Sequence, residues 1–232
     1  MFFSCDGIIV RTGEEAVNEK SLICYSKKHM MQGGLIMDAN DNYNMLSKEG
    51  KQLVEMYLVA RQFKNAILEE EIIVLANGAS CGNVVSWGTT KITFRGNQNL
   101  IRVFPFVVNK AFACEVYLKL LLTRQGFNFK SLKQSERHDL FVLFKNTNED
   151  FKISFYSYFS SRLGAEVNAD FLNREIEQIS NVFIKWRYIY ENIEEAKSVN
   201  YGFLNTFCEY LNELCQKMIL EDFNYDVSKN MR

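Results

Sequence analysis

At 232 residues, 47% of them hydrophobic, the chain carries enough apolar material for one sizeable domain or two small ones without disulfide staples. Its 27 basic and 28 acidic side chains nearly cancel, at a sequence pI near 6.2. That balance excludes a global field able to draw the protein onto nucleic acid or anionic membranes, so any RNA contact must come from a local patch.

The first 45 residues have weak periodicity and several turn formers, among them Gly33-Gly34 and the run from Asp38 to Asn42, and read as irregular chain with some strand. The opening M-F-F-S-C-D-G meets an acidic residue at Asp6 and lacks the basic start of a secretion signal. From Ser47, a helix N-cap by its chemistry, Leu53, Tyr57, Ala60 and Ile67 recur at helical spacing up to the acidic run Glu69 to Glu71. One long amphipathic helix is expected there. Residues 77–100, rich in Gly, Asn and Ser, read as a connector, either a hairpin or an irregular loop.

Pro105, the single proline in the chain, suits the first turn of a helix running to about Gln125, with Gly126 as its left-handed cap. Ser135 is a candidate cap for a second helix carrying His138, Leu140, Phe141, Leu143 and Phe144. The aromatics at 151, 155, 156, 158 and 159 are dense enough to be buried on more than one side. Asn168 or Asp170 can cap a long helix through Phe171, Ile176, Ile179, Phe183, Trp186 and Ile189 to about Ala196. The last helix starts near Asn200 and repeats Phe203, Leu204, Phe207, Tyr210, Leu211, Leu214 and Met218 with a 3.6 period.

Such a succession of helices with short connections predicts a mainly α fold, a helical bundle over 101–232 preceded by an extension, 1–100, with one long helix and irregular or short-strand segments. The six cysteines include no C-x-x-C pair, and Cys208 and Cys215 share one helix face. They read as reduced, buried thiols of a soluble cytoplasmic protein. No apolar run approaches the roughly 18 residues needed to span a bilayer, so no membrane association is expected.

Several chemistries lose support by counting. With two histidines, His29 and His138, and no H-E-x-x-H pattern, a zinc site is not expected; no P-loop, Rossmann turn or G-x-S-x-G occurs. No cofactor is implied. What stands out is Glu115 and Lys119, four apart in an otherwise apolar helix, with His138 and Asp139 shortly after. Ions set into an apolar stripe need partners.

The elements A-F-A-C-E-V-Y-L-K-L-L-L at Ala111 to Leu122, R-H-D-L-F-V-L-F at Arg137 to Phe144, and F-I-K-W-R-Y-I-Y-E at Phe183 to Glu191 together resemble the HEPN superfamily, over about residues 104–220. The resemblance implies a bundle of four or five helices that often forms a homodimer, in toxin–antitoxin and antiviral systems that target RNA. Many members are metal-independent endoribonucleases with an R-x4-6-H motif. This chain departs from it: five to seven residues after Arg187 stand Asn192, Ile193 and Glu194, and Arg137 is followed at once by His138.

The resulting expectation is a cytoplasmic, HEPN-like, non-catalytic binder of RNA or a partner protein, with Glu115, Lys119, Asp139, Tyr190 and Glu191 contributing to the binding site. A ribonuclease using His138 and Arg187 is the first alternative, and a structural subunit with an exposed apolar face on its last helix is the second. Each residue also has a plainer reading. Glu115 and Lys119 form an i,i+4 ion pair, His138 and Asp139 fix a helix start, Arg187 stacks on Tyr190 or pairs with Glu191, and the aromatic run is core.

Overall fold

The helix Phe104–Arg124 is buried on nearly every side. Val107, Ala111, Ala113, Cys114, Tyr117, Leu118, Leu120, Leu121 and Leu122 all lie in the core, which is the signature of a helix at the centre of a bundle rather than on its surface. A computed structural model of the chain describes residues 39–66, 91–93, 104–163, 168–187 and 198–226, all within one compact unit, Asp38–Arg232. In chain order these form α1 (Ala39–Met45), α2 (Lys48–Lys64), β1 (Lys91–Thr93), α3 (Phe104–Arg124), two 3-10 turns (Phe129–Ser131 and Gln134–His138), α4 (Leu140–Lys145), α5 (Glu149–Leu163), α6 (Ala169–Ile179), α7 (Val182–Arg187), β2 (Ser198–Asn200) and α8 (Tyr201–Phe223).

The fold is mainly α, as the periodicities predict. Ser47 Oγ accepts from the Gly50 N–H to start α2, and Asn168 Oδ1 accepts from Phe171 N to start α6. Pro105 sits in the first turn of α3, and Gly126 closes that helix at φ 72°, where a side chain would be strained. The second helix starts later than expected. Asp139, not Ser135, caps α4, because its Oδ1 accepts from both Phe141 N and Val142 N, while Ser135 and His138 lie in the preceding 3-10 turn. The helix expected to run from Asn168 to Ala196 breaks at Ser180 and Asn181, and its part beyond Arg187 lies outside the described residues.

α2, α8, α7 and α4 all pack on α3. Paired residues reveal the directions: Lys110 meets Glu209, Tyr117 meets Asn212 and Arg124 meets Asp222, so α3 and α8 run parallel. Tyr57 meets Asn212 and Lys64 meets Glu209, so α2 runs against both. At its start α2 approaches α8 closely, and a Cβ on Gly50 would lie 3.2 Å from the Phe223 ring. The helix expected in an N-terminal extension is thus one wall of the bundle.

α5 adds the aromatic layer. Phe151, Phe155 and Phe159 are buried and meet Phe144, Phe203, Phe207 and Tyr210 edge-on or tilted, with ring centroids 4.9 Å apart for Phe144 with Phe155 and 5.5 Å for Phe155 with Phe207. That run is core. Cys114, Cys208 and Cys215 are likewise buried free thiols. Where a hairpin was one expectation, the described piece of that connector, β1, pairs antiparallel with β2 over a hundred residues away, in the register Lys91 with Asn200, Ile92 with Val199 and Thr93 with Ser198. The remaining connector, the first 38 residues and Glu69 to Glu71 lie outside the described residues. Among the described residues no helix is long and apolar enough to cross a membrane, and α8 shows one exposed large apolar side chain, Leu220.

Candidate functional site

Glu115 is the one carboxylate planted in the buried stripe of α3, with its side chain 2% exposed. Helical spacing puts Lys119 one turn further on, and its Nζ lies 2.6 Å from Glu115 Oε1. The same oxygen is 2.9 Å from His138 Nδ1. Two nitrogen donors, a lysine on the same helix and a histidine from the 3-10 turn, therefore converge on one carboxylate oxygen. The second, Oε2, is buried and has no hydrogen-bond partner among the described residues.

The turn that delivers His138 is held at several points. Lys133 N donates to Glu136 Oε2 at 2.9 Å, Arg137 Nε donates to the Leu132 carbonyl at 3.3 Å, and Asp139 caps α4. The break between α6 and α7 docks on the same place: Leu140 N donates to the Ser180 carbonyl at 3.0 Å, and Ser180 Oγ donates to Asp139 Oδ2 at 3.4 Å. Asp139 is thus committed to holding the helix start. Phe112, one turn before Glu115, packs on Phe63 and Phe183, and the Phe183 ring lies 6.4 Å from the imidazole. The ionic group is walled by aromatics, a setting in which its field is weakly screened.

A carboxylate only accepts, so the hydrogen bond places a proton on His138 Nδ1 and leaves Nε2 as the acceptor of the neutral ring. Among the described residues no side chain bonds Nε2, and the imidazole is 42% exposed. A histidine held through Nδ1 by a buried carboxylate, with Nε2 toward solvent and an ammonium group alongside, can accept a proton, donate one, or bind an oxyanion.

Of the residues singled out by sequence, Glu115, Lys119 and His138 meet directly and Asp139 supports them. Arg187 closes α7, one helical turn after Phe183 in backbone register; its side chain, and all of Tyr190 and Glu191, lie outside the described residues.

Two polar layers between α2, α3 and α8 escaped the sequence reading. In one, Asn212 Oδ1 accepts from Tyr57 OH at 3.1 Å and from Tyr117 OH at 2.8 Å. Burial pushes the Tyr57 phenol up to about 12 and the Tyr117 phenol higher still. In the other, Lys64 and Lys110 flank Glu209. The available signal was the one that exposed Glu115: Lys110 too is an ion inside an apolar helix. A further buried carboxylate, Glu175, accepts from Asn200 Nδ2 at 2.6 Å while Asn200 caps α8, and so is fully accounted for by structure.

No family model, no curated protein and no solved structure matches the chain. The site's geometry must speak for itself. Among the described residues no group of three His, Cys, Asp or Glu is placed to hold a metal ion; Glu115, Lys119 and His138 can make hydrogen bonds and transfer protons.

Proposed function

We propose that this protein is a HEPN-like bundle that binds RNA through the junction of α3, α4 and α7, acting as a cytoplasmic homodimer in antiviral defence or toxin–antitoxin biology. The observation that carries the reading is the convergence of Lys119 and His138 on Glu115 Oε1, with the buried Oε2 unmatched among the described residues. The residues come from two of the sequence elements that resemble that superfamily. A buried carboxylate with one idle oxygen is costly to the fold alone, which is reasonable where a ligand donor completes it. Lys119 offers a charge-assisted contact to phosphate, and the imidazole offers a second one when Nε2 carries a proton.

Fluorescence anisotropy with a labelled single-stranded RNA in EDTA tests it. Binding should weaken with salt, and Lys119→Ala combined with His138→Ala should weaken it about tenfold or more, as expected for losing two charge-assisted contacts. Absence of RNA binding by the parent protein at low salt would remove the proposal.

One observation favours a second reading, a metal-independent endoribonuclease. Glu115 fixes the His138 tautomer, as the orienting carboxylate does for a general base. RNA cleavage in EDTA, abolished by His138→Ala and slowed by Glu115→Gln, would establish it; intact RNA at every protein concentration would leave the binding function alone.

A further inference from the structure

On the opposite side of α3 from the Glu115 site, the buried Lys110 and the half-buried Lys64 have fewer acceptors among the described residues than donors. Lys64 Nζ lies 2.8 Å from Glu209 Oε2, and Lys110 Nζ lies 3.5 Å from Glu209 Oε1, with the two lysine side chains 15% and 9% exposed. Lys64 has one further acceptor, Asn65 Oδ1 at 3.4 Å. Lys110 has none other among the described residues, and its bond to Glu209 is at the limit of hydrogen-bond length. Each ammonium carries three donors, so among the described residues six N–H bonds face three side-chain oxygens, and the two lysines share one carboxylate.

Withdrawing ammonium groups from water is costly unless charge and hydrogen bonds are made good. Glu209 alone does not do so. Its own side chain is 35% exposed, so the pair can be reached from solvent along it.

We propose that Lys64 and Lys110 form a binding site for a phosphate group, whose oxygens take up the donors that Glu209 leaves idle and whose charge offsets the excess cation. Lysine serves phosphate as a compact point charge, and two lysines from antiparallel helices grip it from two sides. The site is separate from the Glu115 junction. Lys110 precedes Glu115 by five residues, a turn of about 140° around the helix axis, and it faces α2 and α8 where Glu115 faces α4. The phosphate could be free or could belong to a nucleotide.

Calorimetric titration at fixed ionic strength tests the site with three probes: inorganic phosphate, adenosine monophosphate and adenosine. Phosphate or the monophosphate should bind, and adenosine should not. Tighter binding of the monophosphate than of inorganic phosphate assigns the source as a nucleotide; equal or weaker binding assigns free phosphate. Lys64→Gln and Lys110→Gln should each weaken binding about tenfold, the loss of one charge-assisted hydrogen bond. Glu209→Gln should tighten it about tenfold by removing a like charge from the ligand's side. A purely structural role for the lysines would predict no such gain. The proposal is overturned if neither phosphate probe binds, if adenosine binds as well as its monophosphate, if both lysine variants bind as the parent does, or if Glu209→Gln fails to tighten binding. Should Lys110→Gln fail to fold, Lys64→Gln at the end of α2 and Glu209→Gln carry the test.

Discussion

Two polar clusters on opposite sides of α3, the tyrosine layer and the Glu115 junction, solve the same problem in opposite ways. In the layer toward α2 and α8, the buried hydroxyls of Tyr57 and Tyr117 both find an acceptor in Asn212 Oδ1. Toward α4 and α7, Glu115 is deeply buried, yet one of its oxygens serves two partners and the other serves none among the described residues. A satisfied layer holds helices in register, whereas an unsatisfied one stores binding capacity. The difference teaches that burial of a polar group is not in itself a sign of function.

That contrast can be broken by substitution. If the tyrosine layer is purely structural, Tyr117→Ala should cost about 3 to 5 kcal/mol of stability in urea denaturation, since it empties a fully buried aromatic site. Asn212→Ala should cost about 2 kcal/mol by orphaning two hydroxyls, again with RNA binding intact in the folded fraction.

Alkaline titration sharpens it further. The folded chain keeps the Tyr57 proton up to about pH 12, while the unfolded chain releases it near 10. The folded state therefore holds more protons in that window, and the stability that the neutral phenol contributes is complete below pH 10 and is lost as pH rises toward 12. Stability measured from pH 9 to 12 should fall less steeply in Tyr57→Phe; an unchanged slope would place the alkaline sensitivity elsewhere.

The smallest effect on stability belongs to the other side. Glu115→Leu replaces a poorly satisfied ion by an apolar group, and its partners can turn to water, so the unfolding free energy should stay within about 1 kcal/mol of the parent. RNA binding should nevertheless be lost. A loss of several kcal/mol instead would make Glu115 a structural group like Asn212.

The helices were legible because their apolar periodicity and their caps are local: Ser47, Gly126 and Asn168 act within a few residues of themselves. The Glu115–Lys119 pair was legible for the same reason. Its contact with His138 is not local, and the histidine's position depends on Asp139 winning the cap from Ser135, a choice settled by the docking of Ser180 on the turn. The break in the helix after Ile179 has that origin too, since Ser180 offers its carbonyl to Leu140 N and its hydroxyl to Asp139. Periodicity continues through such a break and cannot reveal it. The pairing of β1 with β2, the wall formed by α2 and the convergence of Lys64, Lys110 and Glu209 all join distant segments, and a helix face carries no label for its partner.

The parallel course of α3 and α8 also bears on synthesis. The bond between Tyr117 and Asn212 spans 95 residues, so at the roughly 5 to 20 residues per second of a ribosome the oily flank of α3 waits about 5 to 20 seconds for its cover. A nascent chain in that interval is a natural client for a chaperone, and truncation before α8 would yield aggregates in place of a smaller folded protein.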